Sequence, residues 1–243
     1  MLGISRQPRA WRWHAVGKHP AAADYIHLRG GPPILDAVAD WMAQGYAAVQ
    51  QPGQQHPAWH SWRCWLQGTQ RERLICGVVR DSSDRIGRPY PLLIIGEGPL
   101  PRWEQQWPLL PVRLTPVWAR IEQAAARKYD NLQALAETVA QLEGPPGDGE
   151  SPPLTASIPA DQLTLCRANL DRDRQVMISL NDAGTLHPDT RATAWHMALG
   201  QCCPDIPRAV FMGGTPQRAY LAVMRQPLGT ADFVRLWQVD GKD

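Results

Sequence analysis

The spacing of apolar residues divides the 243-residue chain into helix-like and strand-like stretches. After Pro32 and Pro33, the residues Ile34, Leu35, Val38, Trp41 and Met42 return at helical spacing, with Asp36 and Asp40 turned outward. Prolines in the first turn and that period predict a helix that fades at or soon after Gly45. Three strand-like runs follow: SWRCWL at 61–66, RLICGVV at 73–79 and YPLLIIG at 90–96. The last two are short, rich in branched residues and bounded by turn formers, as buried strands are. Their link, DSSDRIGRP at 81–89, is too short for a helical crossover, so the two strands are expected to be antiparallel neighbours.

Further along, Pro116 reads as the start of a helix carrying Val117, Ile121 and Ala124. A helix over about 130–142 would have Asp130 as N-cap and Leu132, Leu135, Val139 and Leu142 on one face. The stretch GPPGDGESPP at 144–153 interrupts every period and reads as a loop or linker. It separates a core over 1–143 from a C-terminal part, 154–243, expected to pack on the same domain. That part predicts strands near 163–168 and 175–180, a helix near 190–199, strands near 209–213 and 219–224, and a helix near 231–238. Several strand pairs have no helix between them. The fold class is therefore α/β of the α+β kind, a largely antiparallel sheet covered by helices.

Composition narrows the function. With 44% hydrophobic and 20% charged residues and a net charge of +2, the chain is globular rather than disordered and has no overall pull toward nucleic acid or membrane. The charge is uneven: residues 1–128 carry 16 basic and 9 acidic groups, and residues 129–243 carry 9 and 14. Such asymmetry either pairs the halves or steers a partner. The N-terminus has no signal-like apolar run and no stretch is long enough to span a bilayer, so a cytoplasmic protein without membrane insertion is expected. Five cysteines, two of them adjacent and none in a CxxC pair, suggest neither a disulfide framework nor a zinc site. Cys202 and Cys203 read as small buried residues. Eleven tryptophans favour a large core and interface anchors, with Trp59, Trp62, Trp65, Trp103 and Trp107 as possible anchors. The segment RQPRAWRWH at 6–14 interleaves arginine with Trp11 and Trp13 and would suit base stacking, but no nucleic-acid-binding motif accompanies it.

Two segments are more specific than a generic core requires. In GKHPAAADYI, residues 17–26, Gly17 and Pro20 set a turn, Lys18 presents a charge, and Asp24 precedes Tyr25 and Ile26. It is a poor phosphate cradle, because Lys18 lacks the glycine loop of a P-loop. In SSDRIGRPYPL, residues 82–92, Asp84, Arg85 and Arg88 flank Gly87, and Pro89 and Pro91 bracket Tyr90. This is either an Asp–Arg clamped hairpin or a protruding charged surface read by a protein partner. An enzyme reading would use Asp24 with His19 or His27, or Ser82, yet no nucleophile elbow is present. His56 and His60 do not share a helix face because Pro57 intervenes. No metal-ligand set or cofactor motif stands out, so no catalytic residue, metal or cofactor is expected.

These two segments resemble the hallmarks of the TagF family of bacterial type VI secretion. Gly17, Lys18, Pro20, Asp24, Tyr25 and Ile26 match the first motif, and Trp41 falls in the helix that follows it. Ser82, Asp84, Arg85, Gly87, Arg88, Tyr90, Pro91 and Leu92 match the second, while Ala23 stands where glycine is usual. The resemblance implies an α/β/α sandwich around an antiparallel sheet, akin to longin or profilin-like domains, with additional C-terminal strands and helices. It further implies a cytoplasmic, post-translational repressor that is not an enzyme and binds a forkhead-associated scaffold protein, without nucleic acid. Lys18, Asp24, Asp84, Arg85 and Arg88 are the expected partner-binding residues, with Gly17, Pro20, Ser82, Gly87, Tyr90 and Pro91 as structural motif. On this reading, removing both Arg85 and Arg88 should abolish partner capture and leave stability nearly unchanged.

Overall fold

The computed structural model describes residues 10–28, 31–50, 59–146, 157–181, 186–203 and 205–239. Arg6, Arg9, His56 and most of the stretch at 144–153 lie outside the described residues. The strands are β1 (Arg12–Gly17), β2 (Ile26–Leu28), β3 (Ser61–Gln67), β4 (Arg73–Arg80), β5 (Leu92–Pro99), β6 (Gln175–Ser179), β7 (Ala209–Gly214) and β8 (Ala219–Met224). They form one antiparallel sheet in the order β2-β1-β5-β4-β3-β7-β8-β6. The helices are α1 (Pro33–Val49), α2 (Leu110–Ala126), α3 (Leu132–Ala140), α4 (Ala160–Asp173), α5 (Pro188–Cys202) and α6 (Thr230–Trp237).

Alternation along the strands explains the three layers. In β4, Leu74, Cys76 and Val78 enter one core and Ile75 and Val79 the other; in β5, Leu92 and Ile94 oppose Leu93 and Ile95. A sheet apolar on both faces must be covered on both. The first face packs on α2, α3, α4 and α5, through residues such as Trp118, Val139, Leu170 and Trp195. The second packs on α1 and α6 through Leu35, Met42, Phe233 and Trp237. The edge strand β2 is a poor template for further pairing because it has only three residues.

The sheet joins the two parts of the sequence where β3 pairs with β7, placing Ser61 opposite Gly214 and Leu66 opposite Ala209. Arg63 on β3 adds a polar tie. Its Nε and Nη2 bond Glu122 of α2 at 2.7 and 3.0 Å, and its Nη1 bonds Asp189 of α5. On the other face α1 and α6 pack closely enough that a Cβ on Gly45 would lie 2.2 Å from the Phe233 side chain. Glycine there is required by packing, so α1 runs past it to Val49.

Several expectations change. The run at 163–168 is helix α4, not strand: the buried residues are Cys166 and Leu170, one helical turn apart, and Leu165 is exposed. Helix α2 starts at Leu110, with Pro116 inside it and Pro111 in its first turn. Asn131, not Asp130, caps α3 by accepting from the Ala134 N–H at 3.0 Å. Strands β1 and β2 had no counterpart in the sequence reading. Trp11 and Trp13 stack on each other, Trp13 is buried and the Trp11 indole donates to the Pro99 carbonyl, so neither ring is open for base stacking. Of the proposed tryptophan anchors, Trp62, Trp65, Trp103 and Trp107 are core residues and Trp59 is exposed.

Trp65 also sets a titration. Its indole N–H donates to His196 Nε2 at 3.2 Å, so the ring proton sits on Nδ1, facing the Ala192 carbonyl at 2.8 Å. Burial lowers the His196 pKa to about 4, and burial lowers that of His19 as well. Both histidines take up protons more readily when the chain unfolds. Their contribution to stability is therefore complete above about pH 6.5 and declines as pH falls toward 4, with His196 accounting for up to about 3 kcal/mol. Chemical denaturation between pH 7 and 4 should show this decline, and a folded His196→Gln variant should lack most of it.

Candidate functional site

The two sequence motifs meet in space. Gly17 ends β1 opposite Leu92 of β5, and the Lys18 N–H donates to the Pro91 carbonyl. The segment 81–91 folds back on itself: the Tyr90 N–H donates to the Ser82 carbonyl, and Ser83 and Pro89 form a single bridge. Gly87 turns the tip with φ +86°.

Asp84 is the centre of this arrangement. Its carboxylate is buried and accepts from the N–H groups of Ile86 and Arg88 at 3.2 and 2.9 Å. It also accepts from Arg88 Nε at 2.6 Å and lies 3.2 Å from Lys18 Nζ. Burial alone would raise the Asp84 pKa, but hydrogen bonds from the Arg88 backbone and side chain and from Lys18 outweigh it and hold the pKa at about 2. The arginines then clamp the upstream segment. Arg85 Nη2 donates to the Ala21 carbonyl and Arg88 Nη2 to the Ala23 carbonyl, each at 2.8 Å, while the Arg85 N–H donates to Ala22. Asp24 is exposed, 3.6 Å from Arg88. Tyr25 packs edge-on against Tyr90, which packs in turn against Tyr46 of α1. Ala23 has no left-handed backbone, and its carbonyl is spent on Arg88, so the usual glycine is not needed here.

Lys18, Asp24, Asp84, Arg85 and Arg88 thus form one cluster, but not one surface. Asp84 was expected at the contact face and is enclosed beneath it. Lys18 is mostly covered too, because its ammonium is drawn inward to Asp84. What faces solvent is Asp24, Tyr25, Arg85, Arg88, Pro89 and Ile86, the last 70% exposed. Ile86 is the residue that the sequence reading passed over; its only signal was an apolar side chain between charged and turn-forming neighbours.

Of the residues of the enzyme reading, His19 and Ser82 line one cavity, while Asp24 and His27 lie outside it. His19 is buried, its Nδ1 accepting from the Ala21 N–H, with backbone hydrogen bonds to Ala125 and Arg127. It cannot serve Ser82 as a base without giving these up. His27 lies with His14 and Asp36 instead, the Asp36 carboxylate 3.7 and 3.8 Å from the two Nε2 atoms. One donor atom from each of these three lies within 4.8 Å of the others, spacing that could hold a metal ion, although each is also engaged elsewhere. The sequence placed Asp36 on an outward face, and β1, which brings His14 beside it, had not been anticipated. The five cysteines are free thiols, and burial raises the pKa of Cys64, Cys76, Cys166 and Cys203.

Both motifs lie within residues 15–144, and that span matches the family model described as the TagF N-terminal domain, type VI secretion system-associated. The chain belongs to the TagF family. A crystal structure of PA0076 from Pseudomonas aeruginosa PAO1 has the same fold, with a TM-score of 0.58 and 18% identity over 95% of this chain and 96% of that one. No curated protein matches the sequence significantly. Among the described residues no helix is long and apolar enough to cross a membrane.

The two TagF-motif glycines differ in what they tolerate. A Cβ on Gly17, at φ +120°, would lie 1.9 Å from the Pro91 carbonyl oxygen, whereas one on Gly87 meets nothing within 4 Å. Gly87→Ala should cost about 1 kcal/mol of backbone strain, and Gly17→Ala clearly more, as read by denaturant melts. Asp84→Asn should lower the melting temperature near neutral pH. That difference should shrink below pH 4 and vanish as pH falls through about 2, where the parent carboxylate also becomes protonated.

Proposed function

We propose that this protein is a cytoplasmic accessory that restrains type VI secretion by binding a protein partner, a forkhead-associated scaffold of the secretion apparatus. Membership of the TagF family supports the setting. The observation that carries a binding role is the tip at residues 85–89. Its polar groups are satisfied inward by Asp84 and the carbonyls of residues 21–23, while Ile86 is left projecting among Arg85, Arg88 and Pro89. A pre-ordered tip loses little conformational entropy on association, and an exposed apolar residue ringed by arginines suits an interface. Restraint requires only that the protein bind the unassembled partner more tightly than the assembled one. In this reading residues 1–143 carry the contact face, and the part from 154 onward packs on the same domain and braces it.

The clamp changes the choice of test. Arg88→Ala with Arg85→Ala would remove the hydrogen bonds that hold the turn and so mix folding with binding. Ile86→Asp alters only the projecting side chain. Tagged protein purified from the native cell should retain the scaffold, and the Ile86→Asp variant, with an unchanged melting temperature, should lose it. Retention unaffected by Ile86→Asp moves the contact elsewhere, and failure of the parent to retain the scaffold removes the proposed partner.

A further inference from the structure

Beside the motif turn lies a cavity of about 390 Å³, lined by His19, Trp59, Arg80, Asp81, Ser82, Ser83, Arg127, Lys128 and Tyr129 among others. Its charge is unbalanced for a physical reason. Arg80, at the end of β4, has two acids in electrostatic range, Glu122 and Asp81. Glu122 is held in a two-point contact by Arg63. Asp81 accepts from the His60 N–H at 2.8 Å and from the Trp237 indole at 2.9 Å, with His60 Nδ1 at 3.0 Å. Both acids are committed to other groups. The Arg80 guanidinium forms no ion pair or hydrogen bond among the described residues and rests over the Trp59 ring at 5.3 Å. Partial burial lowers its pKa, the expected response of a cation short of counter-charge.

Arg127 and Lys128 extend from the end of α2 and likewise form no side-chain hydrogen bond or ion pair among the described residues; Arg127 sits over Tyr129 at 5.4 Å. The carbonyl end of α2 would oppose an anion. Here the Ala125 and Arg127 carbonyls are met by His19, which reduces that opposition. The cavity therefore offers three cations against one carboxylate, that of Asp81, whose oxygens are already held by His60 and Trp237, together with two serine hydroxyls and two aromatic walls.

We propose that this cavity receives a phosphoryl group carried on a side chain of a protein partner. A dianion with three acceptor oxygens matches three cations and two hydroxyls better than a carboxylate does. The volume and the rings of Trp59 and Tyr129 leave room for the residue that bears it. The inference rests on the proposed function only in naming a protein as the carrier. Its test uses this chain alone, so its failure leaves the capture experiment untouched, and the reverse also holds.

Calorimetric titration with N-acetyl-O-phosphoserine amide, N-acetylserine amide, inorganic phosphate and acetate, at equal ionic strength, decides it. The phosphoserine amide should bind saturably, tighter than inorganic phosphate, with acetate and the unphosphorylated amide at least about tenfold weaker. Arg80→Gln should weaken it about tenfold, and so should Arg127→Gln with Lys128→Gln, a pair on an exposed segment that keeps the fold if Arg80→Gln does not. Arg208→Gln, just before β7 and at the end away from the Ser61–Gly214 pair, should change nothing. Absence of saturable binding, or equal affinity in the folded variants, overturns the site. Acetate binding as tightly overturns the phosphoryl assignment, and inorganic phosphate binding more tightly than the amide overturns the side-chain carrier.

Discussion

A single buried carboxylate organises the motif-bearing face of this TagF-family chain. Asp84 is removed from water and surrounded by two backbone N–H groups, a guanidinium and an ammonium. Isolated ions in such a position are costly, and a partial set of partners would leave the group to protonate. With the set complete, the carboxylate stays ionised and fixes three things together: the turn about Gly87, the side chain of Arg88, and the Lys18 end of the upstream motif. Arg88 then reaches the Ala23 carbonyl, and Arg85 the Ala21 carbonyl, so two segments distant in sequence become one rigid feature.

That feature needs a rigid base, which the sheet supplies. β1 and β5 pair from Arg12–Glu97 to Gly17–Leu92, so each motif leaves from the same end of an adjacent strand. Asp81 ties the base to the C-terminal helix, since Trp237 donates to it and stacks on Phe233 at 4.1 Å. Phe233 in turn fills the space left by Gly45 of α1. The last helix thereby reaches the motif region through one acid and two stacked rings, although nothing in the local sequence of residues 230–237 refers to it.

The parts of the fold legible in sequence were those whose burial has a regular period. Strands β4 and β5 show branched runs because both faces are covered, and α1 shows an apolar stripe because one face is. The misread pieces lack such a period. Helix α4 is mostly exposed, and β1 begins with arginine and tryptophan whose roles are tertiary. The site was legible as a set of residues and not as a layout. The charged types mark a cluster, but which side of the turn each faces depends on the position of β1 beside β5. Asp84, expected at the contact face, lies within for that reason, and Ile86, two residues on and given no role by the sequence, projects.

The excess of basic residues before position 129 acquires a local meaning in the same terms. Part of it is neutralised across the chain, as Arg63 with Asp189 and Arg120 with Glu143 show. Near the motif turn the acids are instead consumed internally: Asp81 by His60 and Trp237, Asp84 by Lys18 and Arg88, Glu122 by Arg63. Each acid used to hold the structure is one fewer at the surface. The surface beside the turn is consequently richer in cations than a net charge of +2 would suggest. Such a field acts over a Debye length of about 10 Å. Of the two alternatives that the sequence posed, the ion pairs Arg63–Asp189 and Arg120–Glu143 show pairing of the two halves.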